Sequence, residues 1–241
     1  RLAGAQINPV VGDLDGNVER VLAAYGDAAA LGAHLVVFPE LAVTGYPPED
    51  LVFKPSFLAA SRAAAERVAA QVGETAAVVG FVEPTHAGPA NAAALCHRGR
   101  ILGVYRKVLL PNYGVFDEER YFVPGTEVLL ASFGRVEVAV TICEDLWFPW
   151  GPMATAVPAG AEVVVSLNAS PYRMEKGERL HPMLATRAAD HGAHLFYVAA
   201  VGGQDELVFD GQSAYFDPQG RLLARAGAFT EELLVVDLAL E

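Results

Sequence analysis

Residues 136–147 read Val136-Glu137-Val138-Ala139-Val140-Thr141-Ile142-Cys143-Glu144-Asp145-Leu146-Trp147. The run through Ile142 is apolar and β-branched, the composition of a buried strand. Glu144-Asp145 is too polar to continue such a strand, so the chain must turn at Cys143. A strand that ends in cysteine and turns into a helix sets the sulfur beside outward-pointing backbone N–H groups. Those groups favour a thiolate and can cradle an oxyanion. A strand cysteine taken alone is more often a small buried hydrophobe; the acidic turn is what separates Cys143 from that reading. Cys96 has no such turn and reads as a packing residue in a hairpin.

Two other strands end in charge. His34 to Phe38 is a continuous apolar run closed by Pro39-Glu40, and Arg100 to Lys107 closes on Tyr105-Arg106-Lys107. A carboxylate directly after buried residues either raises its pKa or finds a cation. Glu40 therefore has the makings of a general base, although a lone glutamate at a strand end is ordinarily a surface group. Lys107 would offset Glu40 and stabilise a tetrahedral oxyanion. Arg106 carries the same charge, and spacing alone does not choose between them.

The surrounding pattern places these ends on a mixed sheet. Leu2 to Ile7, Ala76 to Val82, Asn91 to Cys96, Val128 to Ser132, Val163 to Asn168, His194 to Val201, Ser213 to Phe216, Arg221 to Arg225 and Leu233 to Leu238 read as further strands. Helices are expected over Asn17 to Leu31 with Asn17 as N-cap, over Ser56 to Val72, over Met153 to Ala159 and over Glu178 to His191. Strands alternating with helices, interrupted by hairpins, predict an α/β architecture with helices on one face of each sheet layer.

The length of 241 residues, 53% of them hydrophobic, suits one domain spanning 1–241, and no linker or repeat divides it. A formal charge of −12 with no Lys/Arg cluster argues against nucleic-acid binding. No apolar run approaches the roughly 18 residues of a membrane span. Two cysteines without a disulfide framework point to a reducing compartment, the cytoplasm. Arg1-Leu2-Ala3-Gly4 has neither a start methionine nor a signal-peptide pattern, as in a trimmed chain. The six histidines offer neither a Cys–His pair nor a zinc set, and no phosphate-binding glycine loop occurs.

Read together, Phe38-Pro39-Glu40-Leu41, Tyr105-Arg106-Lys107 and Thr141-Ile142-Cys143-Glu144-Asp145 resemble, in order and in placement, the signature segments of the nitrilase superfamily of carbon–nitrogen hydrolases. The resemblance covers essentially the whole chain. It implies an α-β-β-α sandwich and a Glu40-Lys107-Cys143 triad that needs no metal and no cofactor. Longer strings are similar to one branch, the glutamine amidotransferase domains of glutamine-dependent NAD synthetases: Thr44-Gly45-Tyr46-Pro47-Pro48-Glu49-Asp50-Leu51, Lys107 through Glu118, Arg120-Tyr121-Phe122, Cys143 through Trp147 and Asn168-Ala169-Ser170-Pro171-Tyr172.

That branch implies L-glutamine as substrate and an ATP-dependent synthetase domain or subunit as the recipient of ammonia. It also implies assembly as a homo-oligomer. Glu118 aligns with an extra acid near the triad. Tyr46, Tyr113, Glu144, Trp147, Ser170 and Lys176 lie in the matching segments with chemistry suited to holding glutamine, although tyrosine and tryptophan equally serve packing. No Ser-Gly-Gly-x-Asp-Ser pyrophosphatase loop occurs, so NAD formation is expected to lie outside this chain. The competing readings are an amidase, nitrilase or carbamoylase acting on a small free substrate, and a silent module that docks a synthetase. A silent module has no physical need for a buried acid–base pair.

Overall fold

A computed structural model describes residues 1–174 and 176–238, without the side chains of residues 176 and 178. The chain begins with two βαβ crossovers. Strand β1 (Leu2–Gln6), helix α1 (Leu14–Ala30), strand β2 (Leu35–Val37), helix α2 (Pro55–Gln71) and strand β3 (Ala76–Thr85) follow one another, and β1, β2 and β3 pair in parallel. Antiparallel β4 (Gly88–His97) and β5 (Arg100–Arg106) extend one edge of this sheet. A short helix α3 (Glu118–Tyr121) lies between β5 and the second sheet.

The pattern then recurs. Strands β6 (Leu129–Phe133) and β7 (Val136–Ile142) form a hairpin, and helix α4 (Met153–Ala156) leads to β8 (Val163–Asn168). Helix α5 (Lys176–His191) leads on to β9 (His194–Ala199), with β7, β8 and β9 parallel. A small hairpin, β10 (Val201–Gln204) with β11 (Leu207–Asp210), precedes β12 (Ala214–Phe216), β13 (Leu222–Arg225) and β14 (Glu232–Val236). The two six-stranded sheets run β14-β1-β2-β3-β4-β5 and β13-β12-β9-β8-β7-β6.

The sheets stack on each other because their strands are apolar on both faces, so each needs two covers. Between them lie Leu35, Val37, Val78 and Tyr105 of the first sheet and Val138, Val140, Ile142, Val165, Leu167, Phe196 and Val198 of the second. Helices α1 and α2 cover the outer face of the first sheet through Val18, Val21, Tyr25, Ala64 and Val68. Helices α4 and α5 cover the second through Met153, Ala156, Leu180, Leu184 and Ala188. The result is an α-β-β-α sandwich. Gly4 lets the two sheets come close, since a Cβ there would stand 2.8 Å from Val198 Cγ2 and 2.9 Å from Phe196 Cζ.

Three sequence expectations need correction. Helix α1 starts earlier than Asn17: its N-cap is Asp13, whose Oδ1 accepts from Gly16 N at 3.0 Å. Asn17 is instead buried inside the helix, where its amide accepts from Val10 N and donates to the Val10 and Val43 carbonyls. An amide that bridges loops matches the N-cap residue preference without being a cap. The second departure is the β10–β11 hairpin: the strand expected from His194 to Val201 ends at Ala199, and Val201 opens a hairpin that the sequence did not announce. The third concerns Cys143, where the chain enters a single 3-10 turn, Cys143–Leu146, and not a full helix.

Candidate active site

The candidate side chains gather because strands β2, β5, β7 and β8 deliver their ends to one edge of the sandwich, the position where open α/β sheets bind ligands. Glu40 follows β2 and is 1% exposed. Its Oε1 accepts from Lys107 Nζ at 2.7 Å and from Asn91 Nδ2 at 2.7 Å, and its Oε2 accepts from Ala169 N at 2.9 Å. Lys107, directly after β5, is equally buried and also donates to Glu118 Oε1 at 2.8 Å. Tyr46 Oη donates to the same Glu118 oxygen at 2.8 Å. Arg106 is excluded from this cluster because it points to the other face of β5 and pairs with Glu83 at 2.6 Å. Alternation along a strand thus separates Arg106 from Lys107.

The cluster holds two carboxylates against one ammonium. Burial raises Glu118 to about 7 against the pull of Lys107, which leaves it poised to hold a proton near neutrality. Burial also disfavours a charged Lys107, but Glu118 and Glu40 outweigh it, and the net displacement is upward, so the ammonium persists.

Cys143 is 5% exposed and takes φ +44°, in the left-handed region that costs a non-glycine residue about 1 kcal/mol or more. Leu41, next to Glu40, takes φ +48°. Burial pushes the Cys143 thiol well up, Glu40 adds to that, and Lys107 opposes it. The sequence suggested a thiolate held by a helix start. In the structure burial and the neighbouring acids push the thiol the other way, and the turn behind it is short. Burial raises Cys96 to about 12, in keeping with a packing role.

A cleft of about 320 Å³ opens over Cys143, lined by Tyr113, Phe116, Glu144, Trp147, Ser170 and Arg173 among others. Tyr113 Oη donates to Glu144 at 3.0 Å. Four of the residues expected to hold substrate, Tyr113, Glu144, Trp147 and Ser170, therefore meet around the sulfur. Tyr46 and Glu118 instead line a second cleft of about 570 Å³ with Pro47, Tyr121 and Leu207. The Lys176 side chain lies outside the described residues. A larger apolar cavity of about 990 Å³, bordered by Leu2, Leu35, Leu95, Phe133 and Val163, does not include Cys143. Among the described residues, no cluster of three or more His, Cys, Asp or Glu is placed to hold a metal ion.

Sequence reasoning did not single out Asn91, the Ala169 N–H, Asp145 or Arg187. Arg187 of α5 donates from Nε to the Leu146 carbonyl at 2.8 Å and from Nη2 to the Trp147 carbonyl at 3.0 Å, holding the turn from behind. Asn91 did leave a trace: it is the lone polar residue in the run Ala90-Asn91-Ala92-Ala93-Ala94-Leu95, and a buried amide there needs partners.

A buried carboxylate–ammonium pair beside a thiol, under a cleft of its own, is equipped for nucleophilic acyl chemistry. The chain belongs to the carbon–nitrogen hydrolase family, whose model matches residues 1–241. Within that family it is 43% identical to the glutamine-dependent NAD(+) synthetase of Thermotoga maritima, a match covering 100% of this chain and 42% of that protein. The chain thus spans less than half the length of the curated relatives it matches. The solved glutamine-dependent NAD+ synthetase of Acinetobacter baumannii superposes with a TM-score of 0.90 at 36% identity, over 97% of this chain and 44% of that one. A mutant amidase from Nesterenkonia sp. AN1, with acrylamide added at its active-site cysteine, superposes with a TM-score of 0.86 at 28% identity, over 99% of this chain and 92% of that one.

Proposed function

We propose that residues 1–241 form a single glutaminase domain that hydrolyses the side-chain amide of L-glutamine and passes ammonia to an ATP-dependent NAD synthetase domain or subunit. The observation that carries this reading is the buried Lys107–Glu40 pair at 2.7 Å, whose charges act on Cys143, with Cys143 itself lining a cleft walled by Glu144, Tyr113 and Arg173. Relatives named for glutamine-dependent NAD synthesis, matched along the full chain, support the choice of substrate.

In this mechanism Glu40 takes the thiol proton as Cys143 sulfur attacks the amide carbon. The oxyanion that forms is held by the Lys107 ammonium and the backbone N–H of Glu144. Glu40 returns the proton to nitrogen, the C–N bond breaks, and ammonia leaves a γ-glutamyl thioester. Water then attacks the thioester carbon and gives its proton to Glu40. Collapse of the second tetrahedral intermediate releases glutamate, and the proton returns to sulfur. Glu118 and Tyr46 support the ammonium from behind. Tyr113, Glu144, Trp147, Ser170 and Lys176 are proposed to hold the substrate's amino-acid end. The chemistry draws on no metal or cofactor. Two free cysteines suit a reducing, cytoplasmic setting, and assembly into homo-oligomers is part of the same proposal.

The test is glutamate release from L-glutamine by this chain, beside Cys143→Ala, with asparagine and acrylamide as control amides. Turnover that depends on Cys143 and favours glutamine is expected, with the alanine variant at background. Equal or faster turnover of acrylamide would replace the glutaminase reading with that of a small-amide amidase. Absence of turnover even when a synthetase domain with its substrates is added would remove the reading altogether.

A further inference from the structure

The two strand ends that carry the sulfur and the ammonium belong to different sheets. Lys107 follows β5 in one and Cys143 follows β7 in the other. No ladder hydrogen bond can fix their separation, and apolar packing between sheets is non-directional. Besides Glu40, which ties Lys107 to the Ala169 N–H after β8, a second carboxylate bridges the gap and reaches the backbone itself. Asp145 is 1% exposed. Its Oδ2 accepts from Ile142 N at 2.9 Å and from Tyr105 Oη at 2.6 Å, while its Oδ1 accepts from Leu109 N at 2.9 Å and from Val108 N at 3.2 Å.

Ile142 immediately precedes Cys143, Val108 immediately follows Lys107, and Tyr105 stands two residues before it. The bonds therefore reach the backbone beside both reactive residues. The left-handed Cys143, at φ +44°, would relax unless its neighbours were held. Hydrogen bonds to a buried charged acceptor are directional and strong enough to do this.

We infer that Asp145 is a positioning residue that sets the separation of the Lys107 ammonium and the Cys143 sulfur by clamping the two sheets at their strand ends, an inference that rests on the proposed glutaminase chemistry. A carboxamide cannot substitute for the carboxylate. Whichever way it is turned, its NH2 faces a backbone N–H, of Ile142 on one side or of Val108 and Leu109 on the other. The clamp thus opens on one side in Asp145→Asn while the side-chain volume stays the same.

The experiment pairs two readouts on Asp145→Asn, each taken well below the variant's own melting temperature. Glutamine turnover is expected to lose roughly 10–100-fold in kcat with KM within about twofold, because alignment fails while the cleft persists. The pH profile of Cys143 alkylation by iodoacetamide, followed by peptide mass, is expected to shift as the Lys107 charge changes its distance from the sulfur. Alkylation needs no glutamine. A wild-type chain that leaves glutamine untouched, together with a shifted profile in the variant, would overturn the function and keep the clamp. A lowered melting temperature with unchanged kcat and an unchanged profile would reduce Asp145 to a stabilising residue and overturn the clamp. Should Asp145→Asn fail to fold, Tyr105→Phe removes a single donor and leaves the three backbone donors paired. A severalfold loss of kcat at constant KM with a shifted profile is expected there, and wild-type values in both readouts would overturn the clamp.

Discussion

Glu118 shows how one residue couples the site to stability. Burial raises it to about 7 from an ordinary 4.5, against the pull of Lys107. Between those values the folded chain holds a proton that the unfolded chain has released. The contribution is therefore present in full below about pH 4.5 and is lost as pH rises through about 7. Glu118→Gln removes this titration. The stability of the native chain relative to Glu118→Gln is expected to be greater at pH 5 than at pH 8, by up to about 3 kcal/mol. Urea unfolding of both proteins across that range measures it; a pH-independent difference would show that Glu118 stays charged throughout. This behaviour is not visible in the string Asp117-Glu118-Glu119. Three adjacent acids look alike in sequence, and only the helical turn of α3 drives the middle one inward, to 3% exposure.

At the scale of elements, the position of Glu40 is set by a glycine on the neighbouring strand. A Cβ on Gly80 of β3 would overlap the Leu41 nitrogen and the Pro39 carbonyl oxygen. The segment cannot step aside freely, because Phe38 N donates to Val78 O at 2.9 Å and Val43 N donates to Gly80 O at 3.0 Å. Gly80→Ala is expected to cost about 1–3 kcal/mol by overpacking. It should also lower glutamine turnover roughly 10–100-fold by displacing the Glu40 carboxylate. Chemical denaturation and steady-state kinetics give the two numbers, and full activity in the variant would show that the Glu40 loop has slack. The sequence marks this strand clearly as Ala76 to Val82, but the need for Gly80 belongs to a partner segment that folds against it from a different part of the chain.

At the scale of the whole molecule, the site depends on two sheets meeting face to face. Phe196 of β9 is fully buried between them, below Gly4 of β1 and edge-on to Tyr215 of β12 at a ring separation of 6.3 Å. Phe196→Ala is expected to destabilise the fold by about 3–5 kcal/mol. The lining is large and rigid, and the sheets close only partly over the space left. A thermal melt followed in parallel by far-UV and near-UV signals checks this; a loss below about 1 kcal/mol would mean that the interface repacks. The 53% hydrophobic content that made one large core plausible is spent on this inter-sheet layer and on the two helix–sheet layers flanking it.

The sequence by itself determined the periodicities and the strand ends. Apolar runs of strand length must be buried on both faces, and Pro39-Glu40, Lys107 and Cys143-Glu144-Asp145 are polar stops that end them, so the α/β layering was legible from local chemistry, while the choice of Glu40, Lys107 and Cys143 as the candidate triad came from the resemblance of their segments to the carbon–nitrogen hydrolases. Tertiary structure alone decided which groups meet. It chose Lys107 over Arg106 by strand alternation, turned Asn17 from a cap into a loop bridge, and brought Asn91 and the Ala169 N–H to Glu40. It also buried Cys143, which pushes its thiol up. The physical reason is that burial and hydrogen-bond partnership are properties of position in space. Glu40 and Ala169 are 129 residues apart in the chain and 2.9 Å apart in the fold, and no spacing rule reaches that far.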